Sequence, residues 1–286
     1  VNGALTTGDR IGSYRIEETI GFGGMGVVYR ATHELLGRAV ALKVLSPQLS
    51  DDEVFRERFR REARMAASFE HPNVATIYEA GEDDGVLFLA MKLVDGESLQ
   101  ALVRAGAFAG PDGPARTLAM LKPIACALDA AHEAGLVHRD VKPANILVQD
   151  GHPYLVDFGI TKARGSITIT SADRVVGSLG YVSPEQIRGE EVDARSDTYS
   201  LAVVLYECLT GAVPFDRPND TAVLWSHLHD AVPSVAGAAL PTALDRVLAR
   251  GLAKAPADRP ARSSELIAAA EAVLGGGVAA AAPAAG

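Results

Sequence analysis

The run His138-Arg139-Asp140-Val141-Lys142-Pro143-Ala144-Asn145 places three polar chemistries directly ahead of a strand-like Ile146-Leu147-Val148. Asp140 can orient a hydroxyl and take its proton. Lys142 can neutralise charge on a transferred phosphoryl group, and Asn145 can bind a divalent cation through its amide oxygen. Further along, Asp157-Phe158-Gly159 follows the apolar Tyr154-Leu155-Val156. Its carboxylate is a hard oxygen ligand suited to magnesium. An Asp-Phe-Gly tripeptide alone is common by chance, but behind the 138–145 run chance stops explaining it.

Working back toward the start, Gly21-Phe22-Gly23-Gly24-Met25-Gly26-Val27-Val28 is a glycine pattern with strand-like residues on both sides. Glycines let backbone amides approach a phosphate closely. A dinucleotide-binding loop carries a similar pattern but runs from strand into helix, so the flanks here point to a hairpin over a nucleotide. Lys43 sits in the apolar strand-like Val40-Ala41-Leu42-Lys43. Phe55, Phe59, Glu62, Ala66 and Phe69 fall on one face of a helical pattern between Asp51 and Glu70. Glu62 thus points with the phenylalanines. Buried charges are seldom left unpaired, and a Lys43–Glu62 ion pair accounts for both misplaced charges.

The rest of the chain sorts around these motifs. Residues 9–94 read as strands with one helix, including strands at 74–80 and 86–92. Beyond 92–97 the texture becomes helical, clearest at 116–134 and 197–209, with further helices at 221–230, 240–252 and 263–274. The class expected is α+β, with a small β-rich lobe at 9–94 and a larger α-rich lobe at 95–275. Residues 1–8 read as an extension and 276–286 as an Ala/Gly/Pro linker or tail.

Composition narrows the function. In 286 residues, 48% are hydrophobic and 22% charged, a globular balance rather than a disordered one. Lys and Arg number 27 against 36 Asp and Glu, a net charge of −9. That argues against coating a nucleic acid, which needs a cationic surface, and suits basic or neutral peptides. The two cysteines, Cys126 and Cys208, form no metal-binding spacing and read as buried thiols. No apolar run is long enough to span a membrane.

Taken in order, Gly21–Val28, Lys43, Glu62, 138–145, 157–159 and Ser183-Pro184-Glu185 resemble the signature set of a eukaryotic-type (Hanks-type) protein kinase over residues 9–275. The details at 21–26, Arg58-Phe59-Arg60-Arg61-Glu62-Ala63 and Val192-Asp193-Ala194-Arg195-Ser196-Asp197 resemble the actinobacterial receptor-type Ser/Thr kinases of the protein kinase B group. The resemblance implies a bilobal kinase fold and transfer of the ATP γ-phosphoryl group to Ser/Thr hydroxyls. It implies that Gly21, Gly23 and Gly26 cover the ATP phosphates and that Lys43 binds them while paired with Glu62. Asp140 would be the catalytic base, Lys142 a contact to the γ-phosphate, and Asn145 and Asp157 the holders of magnesium, with manganese as the alternative. Ile20, Val28, Ala41, Met91 and Leu147 would wall the adenine, the backbone at Lys92 and Val94 would read its edge, and Asp95 would meet the ribose. Glu185 would pair with Arg259, and Asp197 would hold the catalytic-loop backbone.

The resemblance also implies regulation by autophosphorylation at Thr168 or Thr170, with Ser166 and Ser171 as further acceptors, through a phosphate paired with Arg139. Ser178 would hydrogen-bond Asp140 and Lys142 and narrow the site to short hydroxyl side chains. The expected partners are ATP, proteins bearing Ser or Thr, and a second copy docked through the N-terminal lobe, with no nucleic acid and no membrane contact within this chain. The expected setting is cytoplasmic, as the cytosolic domain of a single-pass receptor in a longer form. Two rival readings are a catalytically silent scaffold of the same fold and a nicotinamide-dependent oxidoreductase. The scaffold loses ground to the complete set of polar residues, and the oxidoreductase leaves 138–159 unexplained.

Overall fold

Period-2 alternation builds the first half of the chain. The computed structural model describes residues 5–23, 25–159, 179–238 and 240–276. Strands β1 (Arg10–Ile11), β2 (Tyr14–Gly23), β3 (Gly26–His33), β4 (Arg38–Leu45), β5 (Ile77–Asp83) and β6 (Val86–Lys92) form one antiparallel sheet in the order β1-β2-β3-β4-β6-β5. Two register irregularities in β2, at Ile16/Glu18 and Thr19/Gly21, bend the strand. One face buries Tyr14, Ile16, Tyr29, Val40, Leu42 and Phe88. The opposite parity of β4 puts Ala41, Lys43 and Leu45 on the other face, where Ala41 and Leu45 join Phe55 and Phe59. Lys43 therefore shares its side of the sheet with the helix that carries Glu62.

After the short α1 (Pro47–Ser50), that helix is α2 (Glu53–Ala67). It starts where the Asp52 side chain accepts hydrogen bonds from the amides of Val54 and Phe55, and Glu53 in its first turn favours the helix dipole. Phe55, Phe59, Glu62, Ala63 and Ala66 are its buried residues, the face read from the sequence.

The second half opens with β7 (Glu97–Ser98), α3 (Leu99–Arg104) and α4 (Gly113–Glu133), then β8 (Ile146–Gln149) and β9 (His152–Leu155), which form a small sheet with β7. Helices α5 (Pro184–Arg188), α6 (Ala194–Thr210), α7 (Asp220–His229), α8 (Ala243–Gly251) and α9 (Ser263–Gly276) complete it. Helix α6 is buried nearly all round, from Ser196 to Tyr206, and packs against α4, α8 and α9. An all-round apolar helix is a core helix. The Asp193 side chain caps its start, and Gly211, at φ 80°, ends it in the left-handed region.

Two expectations need correction. The strand expected at 74–80 runs instead over Ile77–Asp83, because 73–75 are used elsewhere. Val74 bridges to Leu155, the Ala75 amide donates to the Leu155 carbonyl, and the Leu155 amide to the Asn73 carbonyl, which ties the two halves together. Cys126 lies on the exposed side of α4, not in the core, whereas Cys208 is buried.

Candidate active site in the cleft between the lobes

The backbone of the 138–145 run is held at its start by α6. Asp197, buried in its first turn, accepts hydrogen bonds from the amides of His138 (2.7 Å) and Arg139 (2.8 Å), and His132 Nε2 lies 2.8 Å from the same carboxylate. Burial pushes the Asp197 carboxyl up, but the bond and charge of His132 outweigh it, and the net shift is downward. Asp197 thus stays ionised as an acceptor. Burial lowers the pKa of His138, whose Nε2 lies 3.1 Å from the Val156 carbonyl and whose ring packs 4.8 Å from that of Phe158.

Two site residues, Arg139 (φ 64°) and Asp157 (φ 61°), hold left-handed backbone although neither is glycine. Such conformations cost of order 1–3 kcal/mol each and persist only where the surroundings enforce them. Here the enforcement is visible. Asp197 grips the amide of Arg139, and the Gly159 amide donates to the His138 carbonyl at 2.8 Å. A Cβ on Gly159 would stand 2.7 Å from that carbonyl, so only glycine fits. The two strained residues aim the chemistry: Asp157 turns its carboxylate back toward β4, and Asp140 follows Arg139 into the cleft.

Asp140, Lys142 and Asn145 are brought together. Lys142 Nζ lies 2.9 Å from Asp140 Oδ2. The Asn145 amide group donates to Asp140 Oδ2 (3.0 Å) and to the Asp140 carbonyl (2.9 Å), so its amide oxygen takes no part in these bonds. Asn145 ends a short 3-10 turn that leads straight into β8.

The expected Lys43–Glu62 pair is absent. Lys43 Nζ is 2.7 Å from Asp157 Oδ1, and Glu62 Oε1 is 3.7 Å from Arg139 Nη1. The misplaced charges are both compensated, but by partners from the other lobe. Sheet parity and helix periodicity put Lys43 and Glu62 on facing surfaces. They do not reveal that the left-handed turns at 139 and 157 bring a second acid and a second base between them.

The remaining candidates line the hinge side. Gly21 pairs with Val28, and Gly23 with Gly26, across the β2–β3 hairpin. The glycine pattern therefore joins strand to strand, as its flanks predict. At Gly26 (φ 153°) a Cβ would stand 2.1 Å from the Val44 carbonyl, so the hairpin lies flat on β4 only with glycine there. Val28 pairs with Lys43, and Ala41 with the buried Met91. Ile20 is half exposed. Lys92 closes β6 with its amide donated to the Thr76 carbonyl, so it can serve a ligand edge only through its carbonyl. Its ammonium lies 4.0 Å above the Tyr154 ring. Val94 is buried and Asp95 exposed just beyond, and Leu147 pairs with Ser98 and Tyr154 in the small sheet.

The Glu185–Arg259 pair is present, bidentate, with both bonds 2.7 Å. Ser196 also donates to Glu185. Burial pushes the Glu185 carboxyl up, the Arg259 guanidinium pulls it down further, and the net shift is downward. Gln186 was not read from the sequence. Its amide donates to the Arg139 carbonyl at 3.0 Å, joining α5 to the catalytic loop. His132 was missed as well, since a histidine on a helix carries no pattern of its own. Ser166, Thr168, Thr170, Ser171 and Ser178 lie outside the described residues.

Comparison with known proteins agrees with this geometry. The protein kinase domain family model matches residues 14–266. The chain belongs to the protein kinase family, within the Hanks-type bacterial Ser/Thr branch. It is 44% identical over 270 residues to the Ser/Thr-protein kinase PknE of Mycobacterium tuberculosis, which covers 93% of this chain and 47% of that protein. It is 43% identical to PknH of Mycobacterium bovis, covering 93% of this chain and 45% of that one. The chain thus spans about half the length of the curated relatives it matches. The crystal structure of the M. tuberculosis PknI kinase domain superposes with a TM-score of 0.76 at 35% identity, covering 95% of this chain and 100% of that one.

Proposed function

We propose that this chain is the catalytic domain, over residues 9–275, of a Ser/Thr protein kinase that transfers the ATP γ-phosphoryl group to protein hydroxyls in bacterial signalling. The observation that carries the reading is the cluster in which Lys142 and Asn145 both bond Asp140, opposite Asp157 and Lys43. Asp140 is the base that orients the substrate hydroxyl and accepts its proton. Lys142, within reach of the same carboxylate, balances charge as the phosphoryl group moves. Lys43 holds phosphate oxygens under the glycine hairpin of Gly21, Gly23 and Gly26. The adenine lies between Ile20, Val28 and Ala41 on one side and Leu147 on the other, with Met91 behind.

The donor set fits a divalent cation. Asp157 and the Asn145 amide oxygen are hard ligands, and Mg²⁺ normally takes one or two protein oxygens and fills the rest with phosphate and water. No cluster of three His, Cys, Asp or Glu exists among the described residues, which suits a metal that arrives with its nucleotide. Asn145 and Asp157 would hold magnesium, with manganese as substitute, and the ion would supply positive charge against the phosphate oxygens. Incubation with radiolabelled ATP and a generic basic protein tests the whole reading. Transfer by the wild type and its loss in Asp140→Asn is the expected result. ATP binding without transfer by the wild type supports the scaffold reading instead.

The same proposal extends to regulation and setting. Activation by phosphorylation within 166–171, first at Thr168 or Thr170, is supported by the position of Arg139 beside Asp140. A second copy docked through the N-terminal lobe is supported by the exposed Leu35 and Leu36 between β3 and β4. The length of the relatives supports a cytoplasmic domain within a longer receptor. No described helix is long and apolar enough to cross a membrane.

A further inference from the structure

His227, on α7, is fully buried, and nothing above gives it a task. Its Nδ1 lies 2.8 Å from the Tyr199 hydroxyl, while its Nε2 is buried without a hydrogen-bond partner. A buried polar group left unpaired is costly, and each one in a folded protein calls for an explanation.

The proton on this ring can be placed. Burial, and behind it the Lys254 ammonium, lower the His227 pKa to about 4, so the imidazole is neutral near pH 7, with one donor and one acceptor. Burial raises the Tyr199 pKa, so that hydroxyl keeps its proton. Its only partner among the described residues is His227 Nδ1. Tyr199 therefore donates to Nδ1, and the ring proton sits on the unpartnered Nε2.

What lies next to the ring is the turn at 179–181, against which α7 packs. The Gly180 backbone carbonyl is near enough to favour the ring's charged form, although it makes no full hydrogen bond to it. Tyr181 in this segment is held from α6. Ser200 donates to the Tyr181 carbonyl at 2.7 Å, and the Tyr181 hydroxyl to Glu207 at 2.7 Å. A few residues on, Ser183 caps α5, whose Gln186 bonds the Arg139 carbonyl. Residues 179–183 are thereby anchored, through α5, to the backbone beside Asp140.

We infer that His227 is a positioning residue for the protein substrate, its Nε2–H being the donor reserved for the Gly180 carbonyl. Closing that bond draws the 179–182 segment onto α7 and fixes the wall against which the peptide beside the phosphorylated hydroxyl lies. The inference rests on the kinase reading of Asp140. It is confined to the protein substrate, because α7 packs mainly on α5 and the 179–181 turn in the helical lobe.

The test is steady-state kinetics of the whole chain with ATP and a generic basic protein, with hydrogen exchange of the 179–183 amides as a readout besides activity. His227→Leu removes both nitrogens. His227→Gln restores a donor near the position of Nε2. Tyr199→Phe deletes one oxygen and frees the tautomer, and serves if His227→Leu does not fold. The expected result is a KM for the protein roughly tenfold higher in His227→Leu and intermediate in Tyr199→Phe. His227→Gln should stay near wild type, and the KM for ATP should not move in any variant. Exchange at 179–183 should quicken in the same order. An unchanged protein KM in a folded His227→Leu or Tyr199→Phe overturns the assignment. So does a His227→Gln enzyme as impaired as His227→Leu, since packing alone would then explain the loss. A wild type that binds ATP but transfers nothing overturns the kinase reading itself.

Discussion

Lys43 Nζ stands 2.7 Å from Asp157 Oδ1, while Glu62, on the same side of the sheet, is 3.7 Å from Arg139 Nη1. Both ion pairs cross from the N-terminal lobe to the catalytic machinery, and all four side chains are largely buried. The arrangement couples two sites. Asp157 cannot give both oxygens to a cation while Lys43 occupies one of them, and Glu62 cannot reach Lys43 while Arg139 holds it.

Arg139→Asn tests that coupling. Asparagine tolerates the left-handed backbone at 139, so the turn survives. With the guanidinium gone, Glu62 loses its contact to Arg139 and can turn toward Lys43 on the same side of the sheet, which would release Asp157 for the cation. Calorimetric titration of the variant with ATP and magnesium should show tighter binding than the wild type. Equal or weaker binding would show that the Glu62–Arg139 contact does not hold the site back.

Glu185→Gln should destabilise the fold far more than the active site. Arg259 is buried, and besides Glu185 it donates to the carbonyls of Ala253, Arg195 and Lys254. Removing the carboxylate strands a buried charge, a loss of about 3–5 kcal/mol. The denaturant midpoint should fall accordingly while the KM for ATP stays put. A midpoint shift near zero would mean the pair contributes no net stability. The same carboxyl dictates behaviour in acid. Its folded pKa is depressed below that of an ordinary Glu carboxyl, so its stabilisation is present above that ordinary value and is lost as pH falls through the folded one.

How much of this was legible in sequence is clearest at α2. Spacing alone placed Phe55, Phe59, Glu62 and Ala66 on one buried face, and they are buried together. Periodicity reports which way a side chain faces, not what stands opposite. The partners of Lys43 and Glu62 depend on two left-handed residues, Arg139 and Asp157; arginine gives no hint of positive φ, and aspartate is only one of the types that tolerate it. The late start of β5 has the same origin. Residues 73–75 have strand composition, but they pair with Leu155, across the cleft and far along the chain. Local pattern cannot encode such a contact. Gln186 and His227 were invisible for a related reason: each is a polar residue on a helix with no motif of its own, defined only by the backbone it faces.

His227 gives a second pH dependence. Its pKa is about 4 in the fold against 6.5 for a free imidazole. Between those values the unfolded chain binds a proton that the folded chain refuses, so stability falls as pH drops from 6.5 toward 4. At about 1.4 kcal/mol per pKa unit the loss amounts to about 3 kcal/mol. Thermal melts from pH 7 to pH 4 should show this decline, and His227→Gln, which has nothing to titrate, should flatten it. A variant whose acid decline parallels the wild type would assign the loss to other groups.

Phosphorylation of Thr168 or Thr170 should redirect Arg139. A phosphate adds about −1.5 to −2 charges and three strong acceptor oxygens. A single carboxylate at 3.7 Å is a weak competitor for the guanidinium against such a group. The transfer of Arg139 from Glu62 to the phosphate would let Glu62 turn toward Lys43, the same shift that Arg139→Asn produces by deletion. Phosphopeptide mapping after incubation with ATP and magnesium should find label at Thr168 or Thr170, with lesser label at Ser166 or Ser171. The labelled enzyme should then bind ATP as tightly as Arg139→Asn does, and phosphorylating Arg139→Asn should add nothing further. Label confined to residues outside 160–180, or an additional gain in the variant, would separate activation from the Arg139–Glu62 contact.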